Sequence, residues 1–183
     1  MSEIIWDHEL IHKYNQSGPR YTSYPTALES HENYTEQDFL NAAARYPHRP
    51  LSLYVHIPWC VQKCPYCDFN SHAQKGTIPE QEYVQHLIAD LEADLEKYQA
   101  SIQHRSLHSI FIGGGTPSLF SAESIKLLLV EIQRRIPFSE NIEITMEANP
   151  GTVEAERFKG YVNAGVTRIS MGIQSFNDDK LQR

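Results

Sequence analysis

Beyond residue 50, segments whose hydrophobic pattern is typical of β-strands alternate with segments whose pattern is typical of α-helices. Short apolar runs, typical of buried strands, occupy residues 51–57, 109–113, 143–148 and 168–174. Amphipathic helices are predicted between them, from apolar side chains three and four positions apart, at residues 80–98, 122–136 and 153–164. Strands that alternate with helices indicate βαβ units and a parallel sheet, so the pattern predicts an α/β fold.

Capping residues mark the start of two helices. The sequence Thr35-x-x-Asp38 predicts a helix over residues 36–46, and Thr77-x-x-Glu80, with Pro79 in the first turn, predicts the start of the helix at residue 80. The first fifty residues lack the alternation of strands and helices. We therefore divide the chain into a short N-terminal segment, residues 1–49, irregular apart from its helix, and a domain over residues 50–183.

All three cysteines of the chain lie in one loop, Cys60-x3-Cys64-x2-Cys67, directly after the first predicted strand. Three soft thiolates this close suit an iron–sulfur cluster or zinc, because both bind deprotonated sulfur. A closed zinc site needs four ligands and would have to recruit His56 or His72. Disulfide bonding is disfavoured, because the number of cysteines is odd and the N-terminus does not resemble a signal peptide.

Glycines and polar residues stand at the ends of the other predicted strands. Ligands gather at the carboxyl ends of parallel strands, so these residues and the cysteines are expected to form one site. They are Gly113, Gly114, Gly115 and Thr116 after the second strand, Glu147 and Asn149 at the third, and Gln174 at the fourth. Structural alternatives stay open, because the glycines can form a turn with positive φ and Glu147 can be a solvated rim residue.

Composition narrows the function without identifying it. The net charge of −7 disfavours broad nucleic-acid binding, which needs a basic face to neutralise phosphates. Hydrophobic residues make up 40% of the 183 residues, which is enough for the core of one domain. No apolar stretch approaches the roughly 18 residues of a membrane span. Reduced thiols fit a cytoplasmic protein.

The cysteine loop, with aromatic Tyr66 before its third cysteine, resembles the signature of the radical S-adenosylmethionine (SAM) enzymes. Four segments in order resemble their coproporphyrinogen III oxidase-like branch and, within it, the HemW-type haem chaperones. They are Leu51-Ser-Leu-Tyr-Val-His-Ile-Pro-Trp-Cys60 with Cys67-Asp-Phe-Asn70, Ile112-Gly-Gly-Gly-Thr-Pro-Ser118, Met146-Glu-Ala-Asn-Pro-Gly151 and Ser170-Met-Gly-Ile-Gln-Ser-Phe176. The resemblance implies the N-terminal part of a partial (β/α)6 barrel similar to a TIM barrel.

By this resemblance, the three cysteines hold a [4Fe–4S] cluster whose fourth iron is chelated by the amino and carboxylate groups of SAM. The reduced cluster then cleaves SAM to methionine and a 5′-deoxyadenosyl radical. The resemblance implies contacts with SAM for Tyr54, Tyr66, Gly114, Gly115, Thr116, Glu147 and Gln174. His56 and Trp59 are expected to pack beside the cluster rather than to bind it.

Two activities follow from two parts of the chain. Phe69 stands where the oxygen-independent coproporphyrinogen III oxidases usually carry a fourth cysteine, which favours a chaperone that binds haem and delivers it to a recipient protein. Residues 1–47, with Lys13-Tyr-Asn-Gln-Ser-Gly-Pro-Arg-Tyr-Thr-Ser-Tyr-Pro-Thr-Ala27, instead resemble the N-terminus of those oxidases. The oxidases act on coproporphyrinogen III, and Arg20 could pair with its propionate, although an arginine exposed in a loop is the simpler interpretation. Either activity implies SAM and an electron-donor protein as partners.

A barrel of this family needs more than the four long strands predicted here. The chain ends at Arg183, in a helix expected after the fourth strand, so later strands and further contacts with SAM are expected to be missing. We therefore expect residues 1–183 alone to be inactive in turnover and poorly soluble, because an open sheet edge promotes association.

Overall fold

A computed structural model describes residues 9, 35–150 and 155–181 of the chain. The chain divides into two compact units, Met1–Phe39 and Leu40–Arg183. The oxidase-like leader with Arg20 lies outside the described residues, as do the first two residues of the helix predicted from 153. The division at residue 50 stays a prediction.

The cap predicted at Thr35, in the first unit, is confirmed. The backbone N–H and the hydroxyl of Thr35 donate to Asp38 Oδ2 at 2.9 and 2.7 Å, and the Asp38 N–H donates back to Thr35 Oγ1 at 3.3 Å. These hydrogen bonds lower the pKa of Asp38, and the bond from the Thr35 backbone is the larger cause. They satisfy donors that a helix start leaves open, and helix α1 (Glu36–Ala44) begins here.

In the second unit, strands and helices alternate as the sequence predicts. The strands are β1 (Leu51–Ile57), β2 (Trp59–Cys60), β3 (His72–Ala73), β4 (Leu107–Gly114), β5 (Phe138–Ala148) and β6 (Arg168–Met171). The helices are α2 (Glu80–Lys97), α3 (Gln99–Ile102), α4 (Ala122–Arg135), α5 (Ala155–Ala164) and α6 (Asp178–Leu181), with a 3-10 turn at Pro117–Leu119. Within the described part of the chain, none of these helices is long and apolar enough to cross a membrane.

Four strands form one parallel sheet in the order β1-β4-β5-β6, and β2 and β3 form a separate parallel pair. Consecutive long strands are therefore neighbours, so that Tyr54 of β1 lies beside Phe111 of β4, and Phe111 beside Thr145 of β5. The predicted α/β class with a parallel sheet is confirmed. The strand order is that of a (β/α) barrel, but the described strands form an open sheet, so closure into a barrel stays a prediction.

Three strands have ends that differ from the prediction. β4 begins at Leu107 instead of residue 109 and ends at Gly114 instead of residue 113. β6 ends at Met171 instead of residue 174, because the Ile173 N–H turns back to the Met171 carbonyl at 3.1 Å and the ladder stops. β5 begins at Phe138 instead of residue 143, and a bulge separates its start from the regular pairing of Ser109 with Glu143. The polar residues of the bulge hide the start of the strand from a pattern based on apolar side chains.

The prediction of a capping box at Thr77 is wrong, although the helix does begin at Glu80. Pro79 takes the N-cap position and makes no side-chain hydrogen bond there. The Glu80 carboxylate instead accepts hydrogen bonds from Ser121, which lies at the start of α4. A tertiary contact therefore replaces the local one.

The hydrophobic core lies between one face of the sheet and helices α2, α4 and α5. Alternate strand residues point into it, and Ile57, Ile112 and Met146 are fully buried. Helix α4 contributes side chains at helical spacing, namely Ile125, Leu128, Leu129 and Ile132. This packing fixes the carboxyl ends of the strands and so the loops that follow them.

The opposite face of the sheet, here named the polar face, carries Ser52, Tyr54, His56, Ser109, Glu143, Thr145, Glu147 and Arg168. Its side chains bond across strands, as Ser109 Oγ does to Ser52 Oγ at 2.9 Å and Arg168 does to Glu143 at 3.3 Å. The sequence predicts β1 as a buried strand, but only one of its faces is buried. Tyr54 is 56% exposed on the polar face.

Replacing Ser121 with alanine is expected to lower the free energy of unfolding by about 1 kcal/mol. Ser121 is the N-cap of α4; its hydroxyl accepts the Ser124 N–H at 3.2 Å and donates to Glu80 Oε2 at 2.5 Å. Urea denaturation followed by circular dichroism measures the loss. The matched control is Ser139→Ala, because the buried Ser139 hydroxyl has no hydrogen-bond partner among the described residues and its removal should cost little. Equal losses in both variants would contradict the capping role.

Candidate functional site

A stem of two short strands closes the cysteine loop. β2 and β3 pair in parallel, and the His72 and Gln74 N–H groups donate to the Pro58 and Cys60 carbonyls, both at 2.7 Å. The stem follows β1 directly, so it fixes the loop at the carboxyl end of that strand. Inside the loop, the Cys67 N–H donates to the Cys64 carbonyl at 3.0 Å and closes a tight turn.

The three thiols are free and differ in burial: Cys60 is buried, Cys67 half-buried and Cys64 exposed. Cys67 Sγ lies 3.6 Å from the hydroxyl of Ser71, a fully buried residue. That hydrogen bond is the main cause that lowers the pKa of Cys67, which favours the thiolate that a metal needs. Among the described residues, no three His, Cys, Asp or Glu side chains converge into a metal-ion site, so the thiols share a loop without surrounding one point.

The glycines at the end of β4 lie against the stem of the cysteine loop. The Gly115 N–H donates to the Ile57 carbonyl at 2.8 Å, and the Thr116 N–H donates to the Trp59 carbonyl at 2.7 Å. A Cβ on Gly115 would lie 2.7 Å from the same Trp59 oxygen. Gly114 has a φ of +118°, a conformation that favours glycine. These residues, 113–116, are named the glycine turn. The glycine turn and the cysteine loop are thus joined by backbone hydrogen bonds.

Glu147 reaches from the end of β5 to this turn. Its Oε2 accepts the Gly114 N–H at 3.2 Å, and a Cβ on Gly113 would lie 2.9 Å from the same oxygen. Burial, and after it the charge of Glu147, raises the pKa of Tyr54. The carboxylate is therefore half-buried among site residues instead of solvated at a rim.

The cysteine loop, the glycine turn and the ends of β5 and β6 enclose a cleft of about 270 Å³. Ten of the residues expected at the site line it, namely Cys60, Cys64, Cys67, Tyr66, Gly114, Gly115, Thr116, Glu147, Asn149 and Gln174. Gly113 and Tyr54 lie outside this lining, so the contact of Tyr54 with SAM stays a prediction. The convergence expected at the carboxyl ends of the strands is present for the others.

Tyr66 and Gln174 stand at the mouth of the cleft. Tyr66 is 71% exposed, and a hydrogen bond with Cys64 is the main cause that raises its pKa. The Gln174 amide donates to the Gly172 carbonyl at 3.2 Å, which leaves its amide oxygen for a ligand. Both side chains can therefore present polar groups to a molecule that enters the cleft.

His56 joins the polar face to the cysteine loop. Its Nε2 lies 2.7 Å from the Asn70 carbonyl and its Nδ1 lies 2.9 Å from the Tyr54 hydroxyl. Because a carbonyl can only accept, Nε2 carries the proton, and Nδ1 of the neutral ring accepts the Tyr54 hydroxyl. The Trp59 ring packs edge-on against the Tyr83 ring, with 4.6 Å between the ring centroids, as expected for a residue that packs beside the loop.

Replacing His56 with alanine is expected to speed the loss of a cluster in air by roughly tenfold, because it frees the Asn70 end of the loop. The measurement is the decay of visible absorption after anaerobic reconstitution. His108→Ala is the control, since His108 is exposed and lies on β4 away from the loop. Unchanged decay in His56→Ala would show that the stem alone holds the loop.

Several cleft residues have no binding role predicted from the sequence. They are Gln62, Phe69, Pro117, Ala148, Ser170, Met171 and Gly172. Ser170 and Met171 end β6, so the rule that placed Glu147 could have found them. Gln62 and Phe69 belong to the cysteine loop, whose path between its cysteines no periodicity reveals.

A larger cavity, of about 460 Å³, lies at the opposite end of the sheet. It is lined at the start of β1 by Leu51, at the end of α4 by Arg135 and before β5 by Pro137. It contains none of the predicted site residues. Volume alone would favour this cavity, but the residues predicted to bind cofactors line the smaller cleft.

Known proteins resemble different lengths of the chain. The haem chaperone HemW of Haemophilus influenzae is 78% identical over 134 residues, which cover 73% of this chain and 35% of that protein. The oxygen-independent coproporphyrinogen III oxidase of Escherichia coli is 40% identical over 179 residues, which cover 98% of this chain and 38% of that protein. The chain thus spans little more than a third of the length of these relatives.

The fold matches the solved structure of the coproporphyrinogen III oxidase HemN from Escherichia coli, which is a radical SAM enzyme. The TM-score is 0.71 at 36% identity, over 99% of this chain and 39% of that one. The family model of the radical SAM superfamily matches residues 54–183, a range that includes the cysteine loop, the glycine turn, Glu147 and Gln174. Sequence and fold agree, and the chain belongs to the radical SAM superfamily.

Proposed function

We propose that the cleft binds a [4Fe–4S] cluster and SAM, and that it serves a HemW-type haem chaperone, which binds haem and delivers it to a recipient protein. Membership of the radical SAM superfamily implies both cofactors. The observation that carries the proposal is that three cysteines, the glycine turn, Glu147 and Gln174 line one cleft at the carboxyl ends of parallel strands.

The donor set fits a cluster better than zinc. Three thiols in one loop leave a further metal position open to a small chelating ligand, whereas a closed zinc site needs a fourth protein ligand. His56 does not supply it, because both of its ring nitrogens are engaged by Tyr54 and Asn70. The hydrogen bond from Ser71 favours the thiolate of Cys67.

The other wall of the cleft suits SAM, whose amino and sulfonium groups are cationic. Glu147 offers a carboxylate, and the bare backbone of Gly114 and Gly115 lets a ligand approach the main chain closely. Gln174 adds an amide with both donor and acceptor. When bound, the cluster and SAM would supply one-electron cleavage of the sulfonium, and the chain would hold and orient them.

The chaperone is favoured by the 78% identity with HemW over 134 residues. Phe69 lines the cleft and is 70% exposed, so it offers an apolar surface where the oxidases usually carry a cysteine. The second candidate is oxidative decarboxylation of coproporphyrinogen III, favoured because the oxidase alignment covers 98% of the chain. Either function uses an electron-donor protein, and free thiols fit a cytoplasmic location.

Anaerobic iron–sulfur reconstitution followed by electron paramagnetic resonance tests the cofactors. We expect a [4Fe–4S]+ signal in the reduced protein that shifts when SAM is added. Bound zinc without such a signal would reject the proposal. Titration with haem and with coproporphyrinogen III, followed by absorption, then separates the two functions, and tight binding of haem alone supports the chaperone.

A further inference from the structure

Residues 116–121 connect the glycine turn to helix α4, and their first two residues form part of the cleft wall. Thr116 and Pro117 line the cleft, whereas Ser118 and Phe120 are fully buried behind it. Within this segment, the Leu119 N–H donates to the Thr116 carbonyl and the Phe120 N–H donates to the Pro117 carbonyl, both at 3.0 Å. A shift of the buried part would therefore move the cleft wall.

Helix α5 holds the buried part of this segment through Tyr161. The Tyr161 side chain is 1% exposed, and its hydroxyl lies 2.8 Å from both the Ser118 and the Phe120 carbonyl. One hydroxyl proton serves two carbonyls, so the phenol sits between them. Burial is the main cause that raises the pKa of Tyr161, and the hydroxyl keeps that proton. Arg157, one turn earlier, reaches the Leu119 carbonyl at 3.4 Å.

Helix α2 holds the far end of the same segment through Glu80. One oxygen, Oε2, accepts the Ser121 N–H at 2.9 Å and the Ser121 hydroxyl at 2.5 Å. Two helices that are distant in sequence thus fix consecutive backbone groups directly behind the cleft. The cysteine loop has its own support, because its stem is formed by β2 and β3.

We infer that Tyr161 and Glu80 are positioning residues that hold the wall of the cleft at Thr116 and Pro117 in the shape needed to bind SAM. The inference rests on the proposed function of the cleft. Without the Tyr161 hydroxyl, two buried carbonyls lose a partner and the turn shifts to recover one. The pairing of β2 with β3 uses neither Tyr161 nor Glu80, so the cluster still assembles, and the main loss is in the affinity for SAM.

The test uses the whole chain with a reconstituted cluster and compares Tyr161→Phe and Glu80→Ala with wild type. Tyr46→Phe is the matched control, because it also removes a phenol hydroxyl but from a ring that is 53% exposed. We expect the dissociation constant for SAM to rise about tenfold in both variants. The iron content and the electron paramagnetic resonance signal of the reduced cluster without SAM should stay unchanged. The spectral shift on adding saturating SAM should also shrink.

Each outcome decides the inference. Wild-type affinity and a full spectral shift in both variants, with a lower melting temperature, would show a purely structural role and overturn it. If Tyr161→Phe does not fold, Glu80→Ala alone decides, because it releases the same segment from the surface of α2. A wild-type protein that carries the cluster but does not bind SAM would overturn the proposed function together with the inference.

Discussion

Replacing Cys67 with serine is expected to abolish cluster assembly and reduce the iron content to less than about a tenth of wild type after anaerobic reconstitution. The hydrogen bond with Ser71 is the main cause that lowers the pKa of Cys67, which favours its thiolate. A serine hydroxyl is not deprotonated near neutral pH and is a poor ligand for iron in a sulfide cluster. The chain has three cysteines, so no fourth one can replace it. Iron and sulfide analysis, with visible absorption, measures the loss.

Ser71→Ala is the graded control for this prediction. It keeps all three thiols and removes the hydrogen bond at 3.6 Å that favours the Cys67 thiolate. Assembly should slow but still reach most of the wild-type iron content. Cys67→Ser protein with undiminished iron and sulfide would mean that the cysteine loop is not the binding site, and the proposed function would fail with it.

The parts of the fold that the sequence predicts best are those with one strong local signal. β1 has the predicted ends, because seven residues with a buried alternate face stand between Pro50 and Pro58. Helix α4 begins as predicted at Ala122, where Ser121 caps it. The convergence of the cleft also follows, since the carboxyl ends of parallel strands must meet at one edge of the sheet.

The features that the sequence does not predict depend on contacts between distant segments. β2 and β3 have two residues each, too few for any periodicity, and they form only because the cysteine loop closes on itself. Glu80 reads as part of a local cap but binds Ser121 across the fold. Tyr54 belongs to a strand predicted to be buried, yet it lies on the polar face next to His56.

These distant contacts join the two halves of the cleft. The N–H groups of Gly115 and Thr116 donate to the Ile57 and Trp59 carbonyls, on either side of Pro58. The His56 ring lies against Gly114 and also contacts the Asn70 carbonyl at the end of the cysteine loop. A change in the turn must therefore reach the cysteine loop through rigid groups. Substitution of Gly114 tests how strongly the turn and the cysteine loop are coupled.

Gly114→Ala is expected to lower the free energy of unfolding by about 3 kcal/mol and to abolish measurable binding of SAM. The backbone there has a φ of +118°, and an added Cβ would lie 2.7 Å from the His56 ring and 2.9 Å from the Ile57 carbonyl. The ring cannot swing away freely, because both of its nitrogens are hydrogen-bonded, and the carbonyl belongs to β1. The turn must move instead, and with it the N–H that Glu147 binds.

Gly76→Ala separates the cost of a positive φ from the cost of the steric clash at Gly114. Gly76 also has a positive φ, +93°, but a Cβ there would meet nothing within 4 Å. Its substitution therefore carries the backbone strain alone, about 1 kcal/mol, with unchanged affinity for SAM. The difference between the two variants in urea denaturation measures the clash with His56 and Ile57. If the two glycines cost the same, or if Gly114→Ala binds SAM as wild type does, close contact between the turn and the cysteine loop is not what shapes the cleft.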